Sequence, residues 1–139
     1  MTLYDPILVP PAGPVELERA LPHALHLAAV HDATLHAVHV VDTASHEGMS
    51  KEPSWAGLGR LLRREADEAV TAVEERAAGT DVDGSTAVVE GSPSREIVTH
   101  AEGNDCDLVV MGTHGRGGID RLLLGSVAEK VVRAAAVPI

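Results

Sequence analysis

Residues 107–126 read Asp-Leu-Val-Val-Met-Gly-Thr-His-Gly-Arg-Gly-Gly-Ile-Asp-Arg-Leu-Leu-Leu-Gly-Ser. The stretch opens with residues 107–111, four of them apolar after Asp107, which predict a buried strand. A glycine-rich segment, 112–118, follows it, and after Gly125 the chain takes the period of a helix that runs from about Ser126 to about Ala136. A strand, a glycine-rich turn and a helix in this order indicate an α/β fold, in which ligands bind at the carboxyl ends of the strands.

The same alternation of strand and helix patterns runs through the whole chain. Four short apolar runs are predicted strands, at residues 3–10, 34–41, 85–90 and 107–111. Each is followed by a segment of helical period, beginning at Pro14, Leu58, Pro93 and Ser126. The order β-α-β-α-β-α-β-α predicts one Rossmann-like α/β domain over residues 1–139, with a doubly wound, mostly parallel sheet and helices on both faces.

Proline, glycine and polar residues give local expectations. Pro22 interrupts the first helical pattern and is expected to kink or split that helix near its middle. Residues 42–57 are polar, with interspersed glycine and proline, and are predicted to form a mobile loop. Ser92-Pro93 is predicted to cap the third helix.

The charge of the chain excludes two classes of partner. There are 21 acidic and 11 basic residues, a formal net charge of −10, so the surface repels nucleic acid and anionic membranes. Trp55 and Tyr4 are the only aromatic residues, which leaves no platform for stacking bases. Abundant acids, scarce lysine and many alanines also favour adaptation to a salty cytoplasm.

The sequence also limits where the protein is expected to be located and which metal sites it can form. No apolar run approaches the roughly 20 residues of a membrane span. The N-terminus has neither a basic region nor a cleavage site for export, so a cytoplasmic protein is predicted. Cys106 is the single cysteine, which rules out an internal disulfide and a cysteine-based zinc site. It is predicted to be a small buried residue.

The glycine-rich stretch has the features of an anion site. Gly112 and Gly115 let backbone N–H groups approach an anion closely. Gly125 and Ser126 stand at the start of the last predicted helix, whose free N–H groups and dipole favour a phosphate. Arg116 adds a positive charge nearby. The pattern is neither a P-loop nor a dinucleotide-binding fingerprint, because the spacing of both motifs is absent.

The spacing Gly112-x2-Gly115-x9-Gly125-Ser126 resembles the nucleotide motif of the universal stress protein family. Further stretches resemble the same family: Tyr-Asp-x-Ile-Leu-Val-Pro at 4–10, His-Val-Val-Asp at 39–42, Glu-Gly-x-Pro at 90–93 and Asp-Leu-Val-Val-Met-Gly-Thr-His-Gly at 107–115. The resemblance extends over nearly all of the 139 residues.

The resemblance implies an adenine-nucleotide site, for ATP or AMP. It places adenine against Val40, the ribose and base beside Met111, and Pro10 in the turn that borders the site. The phosphates are implied to lie over the backbone of the motif, at Gly112, Gly115, Gly125, Ser126 and Val127, with Arg116 as a nearby charge. Mg²⁺ or Mn²⁺ bound through the phosphates, a homodimer and a protein partner are also implied.

Two departures from the family pattern bear on these expectations. Relatives that carry the motif usually have an Asp in the turn after the first strand, whereas Ala12 stands at that position here, so a carboxylate contact to ribose or base is lost. The family also usually continues into a fifth strand that pairs with a partner subunit, whereas this sequence ends at Ile139. We therefore do not assume dimerisation through that strand.

Several of these features also have an explanation without a ligand. Ser126-x-x-Glu129 fits a capping box. Gly112 and Gly115 fit a tight turn between strand and helix, and Arg116 fits a solvated loop residue. His114 lies in the candidate site, but no nucleophile or partner acid stands at a telling spacing, so no catalytic residue is predicted.

Three functions follow from the sequence. The first is a cytosolic module that binds ATP or AMP and acts as a nucleotide-dependent regulatory or stress-response protein. The second is a nucleotide-free dimerisation or interaction module, in which Ala12 marks a lost site. The third is a weak ATP hydrolase, ranked last because the sequence shows no general base.

Overall fold

The computed structural model describes residues 3–11, 14–42, 55–112 and 125–139. Its strands are β1 (Ile7–Val9), β2 (Leu35–Asp42), β3 (Gly84–Gly91) and β4 (Leu108–Val109), and its helices are α1 (Pro14–His31), α2 (Trp55–Ala78), α3 (Pro93–Gly103) and α4 (Ser126–Ala134). The described strands form one sheet in the order β3-β2-β1-β4, and every neighbouring pair is parallel. The predicted α/β fold is confirmed.

Helices cover both faces of the sheet because successive residues of each strand point to opposite sides. Ile7 and Val9 belong to a buried cluster with side chains of α1 and α2, whereas Leu8 belongs to a second cluster with side chains of α3 and α4. All three residues are at most 1% exposed, as expected for a strand between two neighbours. The doubly wound arrangement is thus confirmed as well.

β1 is shorter than the sequence predicted. Pairing covers Ile7–Val9 rather than 3–10. Pro6 and Pro10 flank the paired residues, and neither has the N–H group that a strand ladder needs. The apolar run alone could not show this limit, because both prolines are compatible with extended backbone.

The predicted loop at 42–57 is narrower at both ends. Asp42 is the last residue of β2 and pairs with Gly91 of β3, while α2 already begins at Trp55. Gly57 therefore lies inside the helix, where a glycine costs about 1 kcal/mol of stability. Burial of one face of this 24-residue helix offsets that cost. The remainder of this prediction, at 43–54, lies outside the described residues.

Pro22 does not split the first helix, which is continuous from Pro14 to His31. The side chains of Pro22 and Glu18 are exposed, so the carbonyl that loses its usual helical donor lies toward solvent, where water can satisfy it. Leu21 and Ala24 are buried on either side of the proline and anchor the helix to the sheet. The expected split is therefore wrong.

The third helix begins where the sequence predicted. Ser92 is the N-cap residue and Pro93 is the first helical residue. The Ser92 hydroxyl makes no capping hydrogen bond. Its extended backbone, with φ −83° and ψ 121°, and the fixed φ of Pro93 set the start of the helix instead.

β4 lies at one end of the sheet, and the C-terminal segment lies beside it. The N–H of Val109 donates to the carbonyl oxygen of Pro138 at 3.0 Å, on one side. The N–H of Val110 donates to the carbonyl oxygen of Leu8 at 2.9 Å, on the side of β1.

None of the described helices is both long and apolar enough to span a membrane.

Candidate functional site

The order of the strands marks one place in the sheet where a ligand is expected. From β1, one neighbour is β2 and the other is β4, so the connections that leave β1 and β4 diverge to opposite faces. In open α/β sheets a crevice forms outside the carboxyl ends of the strands at such a switch point. Pro10 follows β1 there, and Met111 and Gly112 follow β4. Three predicted site residues therefore border the switch point.

Three predicted site residues form an apolar wall on the α3 and α4 side of the sheet. Val40 from β2, Met111 after β4 and Val127 from α4 are half-buried, and all three pack against the buried cluster that contains Leu8 and Val109. These residues come from three separate elements of the chain. The fold packs all three against one buried cluster on the α3 and α4 side of the sheet.

The start of α4 provides the polar end of the site. Gly125 is the N-cap residue, with φ −63° and ψ 157°, and Ser126 is the first helical residue with an exposed side chain. The capping box considered for Ser126 is therefore wrong, because a capping box needs the serine at the N-cap position. Glu129 instead forms an ion pair with Arg133, with 3.0 Å between Oε1 and Nη2. The N–H groups and dipole of the first turn favour an anion beside Ser126.

A buried histidine links the ends of β1 and β2. His39 is 9% exposed, and its Nδ1 lies 2.6 Å from the carbonyl oxygen of Pro11. A carbonyl oxygen only accepts hydrogen bonds, so Nδ1 donates and carries the proton. Sequence reasoning gave His39 no role in the site. The signal that could have revealed it is the pair Pro10-Pro11, which ends the backbone ladder of β1 and leaves contacts beyond it to side chains.

Other predicted residues fall outside the part of the chain that the structure describes. Gly115 and Arg116 lie within 113–124, and Ala12 lies within 12–13. Among the described residues, no group of three or more His, Cys, Asp or Glu side chains is placed to hold a metal ion.

An apolar groove of about 590 Å³ continues from the site along β4. Met111 and Gly112 line it at the site, and Val132 of α4 and Ile139 of the C-terminal segment line it farther along. Val132 is 51% exposed and Ile139 is 42% exposed. An apolar surface formed by α4 and the C-terminal segment thus flanks β4 and begins at the candidate site.

The chain is similar in both sequence and fold to one family of known proteins. The family model described as "Universal stress protein family" matches residues 3–139. A universal stress protein of Methanocaldococcus jannaschii, MJ0531, is 40% identical over 137 residues, which cover 99% of this chain and 81% of that protein.

Solved structures agree with this comparison. Universal stress protein UspA from Lactobacillus plantarum superposes with a TM-score of 0.83 at 29% identity, over 97% of this chain and 94% of that one. A universal stress protein crystallised in complex with cAMP superposes with a TM-score of 0.63 at 26% identity, over 98% of this chain and 94% of that one.

Proposed function

The chain belongs to the universal stress protein family, and we propose that it is a regulatory module of that family that binds ATP or AMP in the crevice between the ends of β1 and β4. The proposal assigns the adenine to Val40, the ribose and base to Met111, and the turn at Pro10 to the border of the site. The phosphates lie over the backbone of the glycine motif, at Gly112, Gly115, Gly125, Ser126 and Val127, with Arg116 close by.

The observation that carries the proposal is the shared position of Val40, Met111 and Val127 on one apolar wall. In the proposed site this wall borders the same crevice as the start of α4, where the side chain of Ser126 is exposed. An apolar surface for a base beside a helix N-terminus for phosphate is the combination that an adenine nucleotide needs. The fit of these residues supports a nucleotide rather than a purely apolar ligand.

The complex of a related universal stress protein with cAMP supports the same class of ligand. That protein binds an adenine nucleotide on the same fold, at 26% identity to this chain. ATP or AMP is our assignment for this chain. A divalent cation, Mg²⁺ or Mn²⁺, would be bound through the phosphates when ATP is present.

A nucleotide-free interaction module is the second candidate, and Ala12 is the residue that favours it. Without the usual carboxylate in the turn after β1, the site has one hydrogen-bond acceptor fewer for ribose or adenine. A weak ATP hydrolase ranks below both candidates. The sequence offers no general base paired with a nucleophile, and His114 lies outside the described residues.

Analysis of the purified protein for bound nucleotide separates the two leading candidates. One Trp and one Tyr absorb little ultraviolet light, so bound adenine would dominate the spectrum of the protein. Acid extraction and chromatography should recover ATP or AMP in near-stoichiometric amount. Protein that yields no nucleotide and also shows no ATP or AMP binding after purification would favour the interaction module.

We also propose that the chain forms a homodimer through the apolar groove along β4. Val132 of α4 and Ile139 of the C-terminal segment expose apolar side chains along this groove, and an exposed apolar patch favours association. Light scattering at micromolar concentration should give the mass of a dimer, and Val132→Glu should give the mass of a monomer. A monomeric wild-type protein would contradict this assignment. The cytoplasmic location stays a prediction from the sequence.

A further inference from the structure

The hydrogen bond between His39 and Pro11 follows the same register as the backbone pairing of β1 and β2, but a side chain makes it. β1 and β2 pair at a constant offset, from Ile7 with Leu35 to Val9 with Ala37. The same offset of 28 residues joins Pro11 to His39. Beyond Val9 the ladder cannot continue through N–H groups of β1, because residues 10 and 11 are both proline. The imidazole of His39 instead donates to the carbonyl oxygen of Pro11 and so joins the two strands beyond their last paired residues.

Loss of this hydrogen bond would be costly because both of its groups are buried. Pro11 is buried, and His39 is 9% exposed. A buried carbonyl group without a donor costs free energy comparable to a lost hydrogen bond. At 2.6 Å from Nδ1 to the carbonyl oxygen, the donor is in close range. His39 therefore ties the start of the turn after β1 to the end of β2.

Strand geometry keeps the His39 ring away from the apolar wall. Side chains alternate along β2, so His39 points to the same face as Ala37, which belongs to the α1 and α2 cluster. Val40 points to the other face and packs against the α3 and α4 cluster. A base that lies against Val40 does not touch the His39 ring. Any effect of His39 on a ligand must pass through the backbone.

We propose that His39 is a positioning residue for nucleotide binding, which holds the turn at Pro10 and Pro11 at a fixed distance from Val40. The inference rests on the proposed nucleotide function. Without the bond, the turn after β1 can move relative to the end of β2, and a ligand must then restore the geometry when it binds. Loss of the bond should therefore weaken affinity while the fold persists.

Calorimetric affinity for AMP in three variants tests this role. His39→Leu removes the donor, and affinity should fall at least about tenfold. His39→Asn keeps an amide donor near the position of Nδ1, and affinity should stay within about threefold of wild type. His36→Leu is the matched control on the same strand: its ring contacts Ser85 on the opposite face. Affinity should be unchanged in that variant.

Nitrogen-15 NMR of the imidazole rings gives a readout that needs no ligand and no variant. At neutral pH, Nδ1 of His39 should carry a proton, because it donates to a carbonyl. An unprotonated Nδ1 would overturn the inference even where His39→Leu fails to fold. Equal AMP affinity in wild type, His39→Asn and His39→Leu would overturn it as well. Failure of wild type itself to bind any adenine nucleotide would instead overturn the proposed function, and the inference with it.

Discussion

The backbone N–H of Glu129 donates to the carbonyl oxygen of Gly125 at 2.9 Å, which makes Gly125 the N-cap of α4. Ser126 therefore begins the helix with an exposed side chain instead of capping it. A hydroxyl at this position can donate to a bound phosphate, and the first-turn N–H groups lie beside it. The arrangement separates the structural role of Gly125 from the binding role proposed for Ser126.

Ser126→Ala should reduce nucleotide affinity and leave stability nearly unchanged. Loss of one hydrogen bond to a charged phosphate costs about 1.5 to 3 kcal/mol, a factor of about 10 to 150 in the dissociation constant. Stability should change by no more than about 0.5 kcal/mol, because the hydroxyl does not cap the helix. Urea unfolding and calorimetric titration measure the two quantities.

Ser92→Ala is the matched control for this prediction. Ser92 stands at the start of α3, and its hydroxyl makes no capping hydrogen bond. Both affinity and stability should match wild type in this variant. A large stability loss in Ser126→Ala with unchanged affinity would show that Ser126 serves the helix rather than a ligand.

Much of the fold was predictable from the sequence because it depends on local periods. Three consecutive apolar residues, Ile7 to Val9, predicted a strand buried on both faces, and they are at most 1% exposed. The helical period around Pro22 predicted α1, although the proline was expected to interrupt it. Packing of Leu21 and Ala24 against the sheet outweighs the lost hydrogen bond, and no local pattern contains that balance.

The candidate site was predictable only where a motif is contiguous in sequence or resembles a family pattern. Val40 and Met111 were expected to share a site, and they pack against one cluster. The link between His39 and Pro11 was missed because it joins residues 28 positions apart. The side chain of His39 reaches the carbonyl oxygen of Pro11 only once β1 and β2 are paired in register.

Cys106 should make stability fall with pH in the alkaline range. Burial raises the pKa of the Cys106 thiol from 9.0 to about 11, and the carboxylates of Asp107 and Asp105 add to the effect. The stability contribution is complete below pH 9.0 and is lost as pH rises to about 11, because only the unfolded chain releases the proton in that window. The total loss is about 3 kcal/mol.

Urea unfolding of wild type and Cys106→Ala near pH 8 and near pH 10.5 isolates this contribution. Groups that titrate in both proteins cancel in the difference. The free energy of unfolding of wild type minus that of the variant should be about 2 kcal/mol smaller at the higher pH. An advantage that is equal at both pH values would show that the buried thiol does not govern the alkaline behaviour.

Salt should stabilise the folded chain. A net charge of −10 on a small domain causes self-repulsion, which salt screens. The exposed ion pairs Arg63–Glu90 and Arg133–Glu129 oppose this trend only weakly, since exposed pairs contribute about 0 to 1 kcal/mol each. The thermal midpoint should rise between about 0.05 M and about 2 M KCl.

A charge-reduced variant gives the control for the salt prediction. Glu68→Gln with Glu75→Gln removes two exposed acidic charges of α2 and changes the net charge from −10 to −8. Its thermal midpoint should rise less with KCl than that of wild type. A flat or falling midpoint in the wild-type protein would remove the interpretation of salt adaptation.

Ala12→Asp should tighten adenine-nucleotide binding. The new carboxylate can accept a hydrogen bond from a ribose hydroxyl or the adenine amino group, worth about 1 to 3 kcal/mol, or about five- to 150-fold in affinity. The gain should be larger for AMP than for ATP, because the added negative charge repels the phosphates. Calorimetric titration of both nucleotides measures the difference.

Gly115→Val is the control for the turn variant, and it should abolish binding with either residue at position 12. A β-branched side chain at a glycine of the motif would block the approach of the phosphates and disfavour positive φ. If Ala12→Asp leaves affinity unchanged while Gly115→Val still abolishes binding, the nucleotide does not use the turn after β1. The placement of its ribose and base proposed above would then be wrong.

The most direct measurement is calorimetric titration of nucleotide-stripped protein with AMP and with ATP, with GMP for comparison. We expect saturable binding of AMP or ATP at one site per chain. Met111→Glu, which places a charge in the apolar wall, should abolish it, whereas Val30→Glu, at an exposed position of α1, should bind like wild type. Folded wild-type protein that gives no saturable heat with AMP or ATP up to about 1 mM would contradict the account.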